Sequence, residues 1–501
     1  MAISNKRQIK SLLSNRKEVK LLNSDKKNIS SNIMWRFMEK FSAKFVTFFV
    51  SIILARLLDP STYGTVALIT VFTTILEVFV DSGLGNALIQ KKDADDLDFS
   101  SVFFFNVAMC TVLYLLMFFA APLIADFYNI QELTPIVRVQ SLTILISGVK
   151  NIQYAYVSRE MIFRKFFFAT LFGTIVSAIV GLVMAVAGFG VWALVAQPLV
   201  NYSIDTIVLW ITVQWRPKLI FSWTRLKGLL SYGWKLLIAK LVNTTYMKIR
   251  DLLIGKIYST SDLAFFNKGD TFPAVIVPNI TASVDAVMFP AMAKEQDNKI
   301  RIRELVKKSI QTSSYLVFPM MAGLIACANP LIRLLLTEKW LPCVPFLYMF
   351  CIVYAFWPFS IANLNAIKAL GYSEKILKLE VIEKIFSIFL LIITLKMGVF
   401  WIGISYVTGE IFSTILCAIP NRKLIDYGFI RQFIDLIPLL FTSMIMGCIV
   451  YLIQFLGFSD VFTLVIQVVI GVFIYLMLSW VFKLQGFLYF YSIFETKILN
   501  K

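Results

Sequence analysis

Apolar runs of about twenty residues or more recur along the whole chain, and they limit what it can fold into more than any other feature. Fourteen can be delimited, at 32–58, 62–84, 101–125, 134–157, 166–187, 190–214, 231–256, 272–292, 305–328, 342–367, 377–396, 400–419, 433–456 and 460–482. As α-helices rising about 1.5 Å per residue, each is long enough to cross a hydrocarbon core of about 30 Å. The expected fold is an all-α polytopic membrane protein with fourteen transmembrane helices. Composition agrees: 58% of residues are hydrophobic and 16% charged, where soluble domains carry about 45–50% and about 25%.

An even number of crossings puts both termini on one side, and the basic residues say which. Of the 48 Lys and Arg, 32 lie outside the spans; the tails and even-numbered loops hold 29 of them and the odd-numbered loops 3. Basic loops stay in the cytoplasm, so the N and C termini are expected there. The net charge of +18 is accounted for by topology and anionic lipid headgroups, not by nucleic acid. Residues 1–31 are polar and basic with no apolar core or small-residue cleavage site, and read as a cytosolic tail rather than a signal peptide.

The chain also repeats itself at an offset of about 200 residues. Trp35-Arg36 opens span 1 and Trp234-Lys235 opens span 7; ARLLDPSTYGTVAL from Ala55 matches GKIYSTSDLAFFNK from Gly255, placing Arg56 opposite Lys256. Gly188 to Trp192 precedes span 6 as Gly398 to Trp401 precedes span 12, and Arg159 to Lys165 parallels Lys368 to Lys375. Two six-helix lobes related by an axis along the membrane normal follow. The expected organisation is a cytosolic tail (1–31), an N-lobe (32–214), a linker (215–230), a C-lobe (231–420), two further helices (433–482) and a cytosolic tail (483–501).

The stretch from Ser31 to Gln90, with ARLLDPSTYGTVAL followed by VDSGLGNALIQKKD from Val80, resembles the N-terminal region of Wzx-type polysaccharide flippases. These belong to the multidrug/oligosaccharidyl-lipid/polysaccharide (MOP) superfamily, and the branch most similar holds colanic and teichuronic acid exporters. The resemblance implies a two-lobe, V-shaped fold in a bacterial cytoplasmic membrane, with no nucleotide-hydrolysing domain and no cofactor. It implies a cargo too: an undecaprenyl-diphosphate-linked oligosaccharide, such as a polysaccharide or O-antigen repeat unit, moved from the cytoplasmic to the periplasmic leaflet. Membrane lipids, a glycan polymerase and glycosyltransferases are the implied partners. The drug-exporting branch usually has twelve helices and fits less well. The peptidoglycan-precursor branch has fourteen, but the two motifs look less like it.

Charges inside the spans are the candidate functional residues, because each costs about 2.5–3.5 kcal/mol at a helix centre and therefore faces a bundle interior or a wet cavity. Span 1 carries Arg36, Lys40 and Lys44 on one stripe. Glu77 and Asp81 of span 2 match Lys40 and Arg36 in depth and are structural ion-pair candidates, which leaves Lys44 as the cavity-facing cation. Span 7 repeats the theme with Lys240, Lys248 and Arg250, and Asp285 of span 8 is depth-matched to Lys240. These six cations suit a diphosphate, since ammonium and guanidinium groups in a wet cleft form charge-assisted hydrogen bonds with its oxygens. Asn243, Thr244 and Asn363 are nonspecific candidates for lining the glycan path. Asp205 of span 6 and Glu410 of span 12 are mid-helix carboxylates in similar repeat register, suited either to ion coupling or to hydrogen bonds within the bundle.

Several functions are excluded. The chain has no histidine, which rules out imidazole metal sites and His-dependent catalytic triads or dyads. The six cysteines form no CxxC, and no nucleotide-binding fingerprint is present. The chain is thus expected not to be an enzyme. An ion-coupled exporter of small amphiphilic molecules on the same fold is the alternative, and would favour a carboxylate-rich cavity.

Overall fold

The structure, a computed structural model, describes residues 34–35, 38–39, 41–80 and 83–488. Arg36, Lys40 and Asp81 lie outside the described residues. Among the described residues there are helices and no strands. They are α1 (41–57), α2 (Pro60–Val80), α3 (Leu84–Gln90), α4 (Asp96–Tyr128), α5 (Leu133–Gln140), α6 (Leu142–Arg159), α7 (Phe163–Val186), α8 (Val191–Thr212), α9 (Trp223–Ile257), α10 (Thr260–Lys294), α11 (Lys299–Leu336), α12 (Val344–Ala369), α13 (Ser373–Thr394), α14 (Val399–Leu424), α15 (Phe429–Leu452) and α16 (Asp460–Val481), with 3-10 turns at Glu338–Cys343 and Ile453–Leu456.

Among the described residues, ten stretches are long and apolar enough to cross a membrane. The other expected spans fall on helices too. α1 continues a segment that is only partly described, and α5–α6 breaks at Ser141. α9 and α13 are interrupted by charge, Lys240, Lys248 and Arg250 in the first and Glu380, Glu383 and Lys384 in the second.

The helices are built inside out. Along α16 the buried stripe is Thr463, Gln467, Gly471, Tyr475 and Ser479, every fourth residue, while Val469, Phe473 and Trp480 are 62–68% exposed. Water would reverse that pattern; lipid requires it, because small and polar residues do the packing between helices. α7 does the same with Ala169, Gly173, Ser177, Gly181 and Ala185, which bring it close to α8.

Local geometry repeats where the sequence does. Residues 51–60 and 251–260 have the same helix–bend–helix backbone. After α6 the Ile162 N–H donates to Val157 O at 3.1 Å across Met161 (φ 54°); after α12 the Tyr372 N–H donates to Ile367 O at 3.1 Å across Gly371 (φ 81°). Both are six-to-one turns that satisfy a terminal helix carbonyl.

The chain divides into two compact units. The first holds residues to Leu58 and Thr65–Leu252, with a core in which Leu226 and Leu229 of α9 meet Leu84, Leu88, Phe99 and Ile152. The second holds Asp59–Gly64 and the chain from Leu253. There the 59–64 corner is held by Tyr63 edge-on to buried Trp340 (5.3 Å), with the Lys268 ammonium over both rings at 5.1 and 5.5 Å. Gly64 lies so close to the Thr260 backbone that no side chain fits between them.

Candidate functional site

The first unit contains a cavity of about 380 Å³ whose wall is more polar than its setting in apolar helices would suggest. α2 supplies Glu77, α6 supplies Lys150, Asn151 and Tyr154, α8 supplies Tyr202, and α9 supplies Leu237 and Lys240; Gly83, Gly85 and Asn86 close one side.

Contacts from α6 hold the segments around the cavity in place. α2 is described as far as Val80, whose carbonyl accepts a hydrogen bond from Asn151 Nδ2 at 2.6 Å. Gly83 turns the chain with φ 71°, packed so tightly on Gly233 that a Cβ would lie 2.8 Å from its carbonyl oxygen. Two helical turns beyond Asn151, Arg159 donates to the carbonyls of Leu88, Lys91 and Lys92 at 2.5–2.7 Å and holds the end of α3. One face of α6 therefore fixes both helices that border the opening.

Inside, polar groups are linked. The Tyr202 hydroxyl donates to Glu77 Oε1 at 3.0 Å. Lys150 Nζ sits 4.4 Å from the centre of the Tyr202 ring and 3.5 Å from Asp205 Oδ2, one helical turn further along α8. Asp205 is 7% exposed, and its other oxygen, Oδ1, has no hydrogen-bond partner among the described residues. Gly173 of α7 leaves the space that this oxygen occupies. The cavity thus presents two ammonium groups and one carboxylate, Glu77, with amide and hydroxyl donors and aromatic faces. That set can take an anion with an attached polar body. Among the described residues no group of acidic or thiol side chains is placed to hold a metal ion.

Of the residues expected from sequence, Glu77 and Lys240 line this cavity, and Asp205 lies behind its wall through Lys150. Lys44 is exposed on α1, and neither it, Lys248 nor Arg250 lines the cavity. Lys248 pairs with Asp251 at 3.0 Å. In the second unit, Asp285 accepts a hydrogen bond from Asn365 Nδ2 at 2.9 Å, and the Glu410 backbone carbonyl on α14 accepts one from the Thr414 hydroxyl at 2.9 Å. Asn363 is fully buried and saturated by Gln432, Asn421 and the Phe359 carbonyl, so it braces α12, α14 and α15.

Lys150, Asn151, Tyr154 and Tyr202 are additions from the structure. Lys150 carries the same sequence signal as Lys240, a cation inside an apolar span, but no cation stands eight residues from it as Lys248 stands from Lys240. Tyr202 carries no signal in a chain with 19 tyrosines.

A family model described as "Polysaccharide biosynthesis protein" matches residues 53–345. Among curated proteins, the succinoglycan biosynthesis transport protein ExoT of Rhizobium meliloti (strain 1021) is 26% identical over 317 residues, 63% of this chain and 64% of that protein. The teichuronic acid biosynthesis protein TuaB of Bacillus subtilis (strain 168) is 28% identical over 287 residues, 56% of this chain and 59% of that protein. The matches span about three fifths of the length of these relatives. Among solved structures, the lipid II flippase MurJ in an inward closed conformation superposes with a TM-score of 0.73 at 17% identity, covering 90% of this chain and 98% of that one. An inward-facing multidrug resistance MATE transporter of the MOP superfamily superposes with a TM-score of 0.59 at 15% identity, covering 76% and 94%. At these identities the likeness is one of fold.

Proposed function

The chain belongs to the polysaccharide biosynthesis protein family, within the MOP superfamily, and from that premise we propose that it is a flippase for lipid-linked oligosaccharides. The cargo is an undecaprenyl-diphosphate-linked glycan, carried from the cytoplasmic to the periplasmic leaflet by alternating access of two six-helix lobes (32–214 and 231–420). The remaining two of fourteen crossings lie at 433–482. The observation that carries this reading is the cavity with Lys150 and Lys240 in its wall.

A diphosphate cannot enter hydrocarbon uncompensated, because burying unpaired charge is costly. Two ammonium groups supply the compensation, and Asn151, Tyr154 and Tyr202 offer the first sugars amide, hydroxyl and ring surfaces. The prenyl tail stays in lipid. With the termini in the cytoplasm, as the basic loops argue, the cavity lies in the cytoplasmic half, where cargo made inside the cell is loaded. Lys44, Lys248 and Arg250 serve the anion further along its route and Arg36 and Lys40 serve it nearer the cytoplasmic entrance, while Glu77, Asp81 and Asp285 balance charge. Cycling draws on an ion gradient through Asp205 and Glu410 or on consumption of cargo by a polymerase beyond the membrane.

The test is complementation of a flippase-deficient strain. Lys240→Ala should reduce exported glycan at least tenfold at unchanged membrane level, and Lys240→Arg should keep much of it, since charge matters more than shape at a wet site. Wild-type export by Lys240→Ala would remove the cavity from the transport path.

A further inference from the structure

Lys150 faces two ways. Its ammonium lines the cavity, yet among the described residues it is also the cation paired with Asp205, at 3.5 Å, while a neighbouring ring contact positions it over Tyr202. A static ion pair at this depth should be short and saturated on both carboxylate oxygens. This one is long, and Asp205 Oδ1 is buried without a partner among the described residues. We propose that Lys150 is shared: it neutralises Asp205 while the cavity is empty and turns to the cargo's diphosphate when the cavity fills. The proposal rests on the flippase reading above.

The consequence is a link between cargo and proton. Among the described residues no cation other than Lys150 is paired with Asp205. α7 offers Gly173 and Thr174, which carry no charge. Arg138 of α5 is bound to the Phe118 carbonyl and stacked on that ring. Glu39 adds a negative charge nearby, and Glu77 accepts the Tyr202 hydroxyl. A carboxylate left alone in such a place is neutralised by a proton from water in the cavity. Binding the anion then takes up a proton, and releasing it returns Lys150 to Asp205 and frees the proton. Tyr202 serves as the pivot, because its ring face holds the ammonium between the two partners.

The probe is a short dialkyl diphosphate diester, whose two charges do not titrate between about pH 5 and 9, so every proton exchanged belongs to the protein. Calorimetric titration of the full chain in lipid nanodiscs, in two buffers of different ionisation heat, gives affinity and protons together. Wild type should take up close to one proton per anion near neutral pH. Asp205→Asn should bind about tenfold more tightly with that uptake abolished, because Lys150 is no longer held back. In the Lys150→Ala background, affinity should be lower and Asp205→Asn should bring no gain. If Lys150→Ala does not fold, the proton count of Asp205→Asn decides alone, and Lys150→Arg should restore binding. Unchanged affinity and uptake in Asp205→Asn would overturn the sharing. Binding that depends on Lys240 but not on Lys150 would overturn it too, leaving the cavity reading intact. A wild type that does not bind the diester overturns both.

Discussion

Asp98 shows how a charge is held at the start of a helix that then runs through lipid. Its side chain is fully buried, yet Oδ2 accepts from Lys91 Nζ at 2.6 Å, from the Asp95 amide at 3.2 Å and from Arg225 at 3.3 Å. Asp98→Ala should therefore lower the melting temperature, at a cost below the about 1–3 kcal/mol of a fully buried network, because Lys91 and Arg225 are partly exposed. Asp95 answers Asp98 from the N-cap. The backbone N–H of Asp98 and, beyond it, the Arg225 guanidinium hold the Asp95 carboxyl below the usual carboxylate range. A depressed folded value means that its stabilisation is present above the ordinary Asp value of about 3.9 and is lost as pH falls through the folded one. Asp95→Asn should accordingly melt below wild type near neutral pH and converge with it in acid. Half exposure of Asp95 keeps the difference small. Such caps were not legible at the outset. The sequence marks charges within spans, and these sit at a boundary that hydropathy places several residues away.

At the scale of elements, apolar length and turn chemistry placed the helices but not their interruptions. The break at Ser141 falls at a polar stretch, Arg138 to Thr143, inside one apolar run, and the short α3 follows Gly83 at the end of another. What the structure adds is the inward stripe. Gly471 faces Val450 so closely that a Cβ would lie 3.2 Å from Val450 Cγ2, whereas Val472 is 58% exposed. Gly471→Leu should lower the melting temperature by several degrees and Val472→Ile should leave it unchanged; equal effects would mean that the stripe is misassigned. The amide network makes a second case. Gln432 exchanges hydrogen bonds with Asn363 at 2.7 and 2.8 Å, and Asn421 adds another at 2.6 Å. Gln432→Leu leaves buried amides unmet and should cost about 1–3 kcal/mol, measured by thermal denaturation in detergent. Asn363 looked like a glycan contact because an asparagine in an apolar helix reads the same whether it faces cargo or another helix.

For the whole molecule, the loops carry what the helices cannot. The 29 to 3 bias in basic residues predicts that a cytoplasm-reporting fusion near Lys299 is active and one near Ser459 is silent; the reverse would invert the proposed direction of transport. Membership of the family and the transporter-like fold were both legible, the first from the two motifs between Ala55 and Asp93 and the second from the count of apolar runs. The cavity was legible only in part. Lys240 and Glu77 stand out as charges in lipid, but Lys150 and Tyr202 join them through contacts between α6 and α8 that no spacing along the chain encodes. The most direct test of the account is flipping itself. The purified chain is reconstituted in vesicles with a fluorescent undecaprenyl-diphosphate oligosaccharide, and a membrane-impermeant quencher reports which label reaches the outer leaflet. Wild type should expose inner-leaflet label to the quencher, and Lys240→Ala should leave it as protected as in protein-free vesicles. Label that stays protected with wild type, or that is exposed equally by Lys240→Ala, would contradict the account.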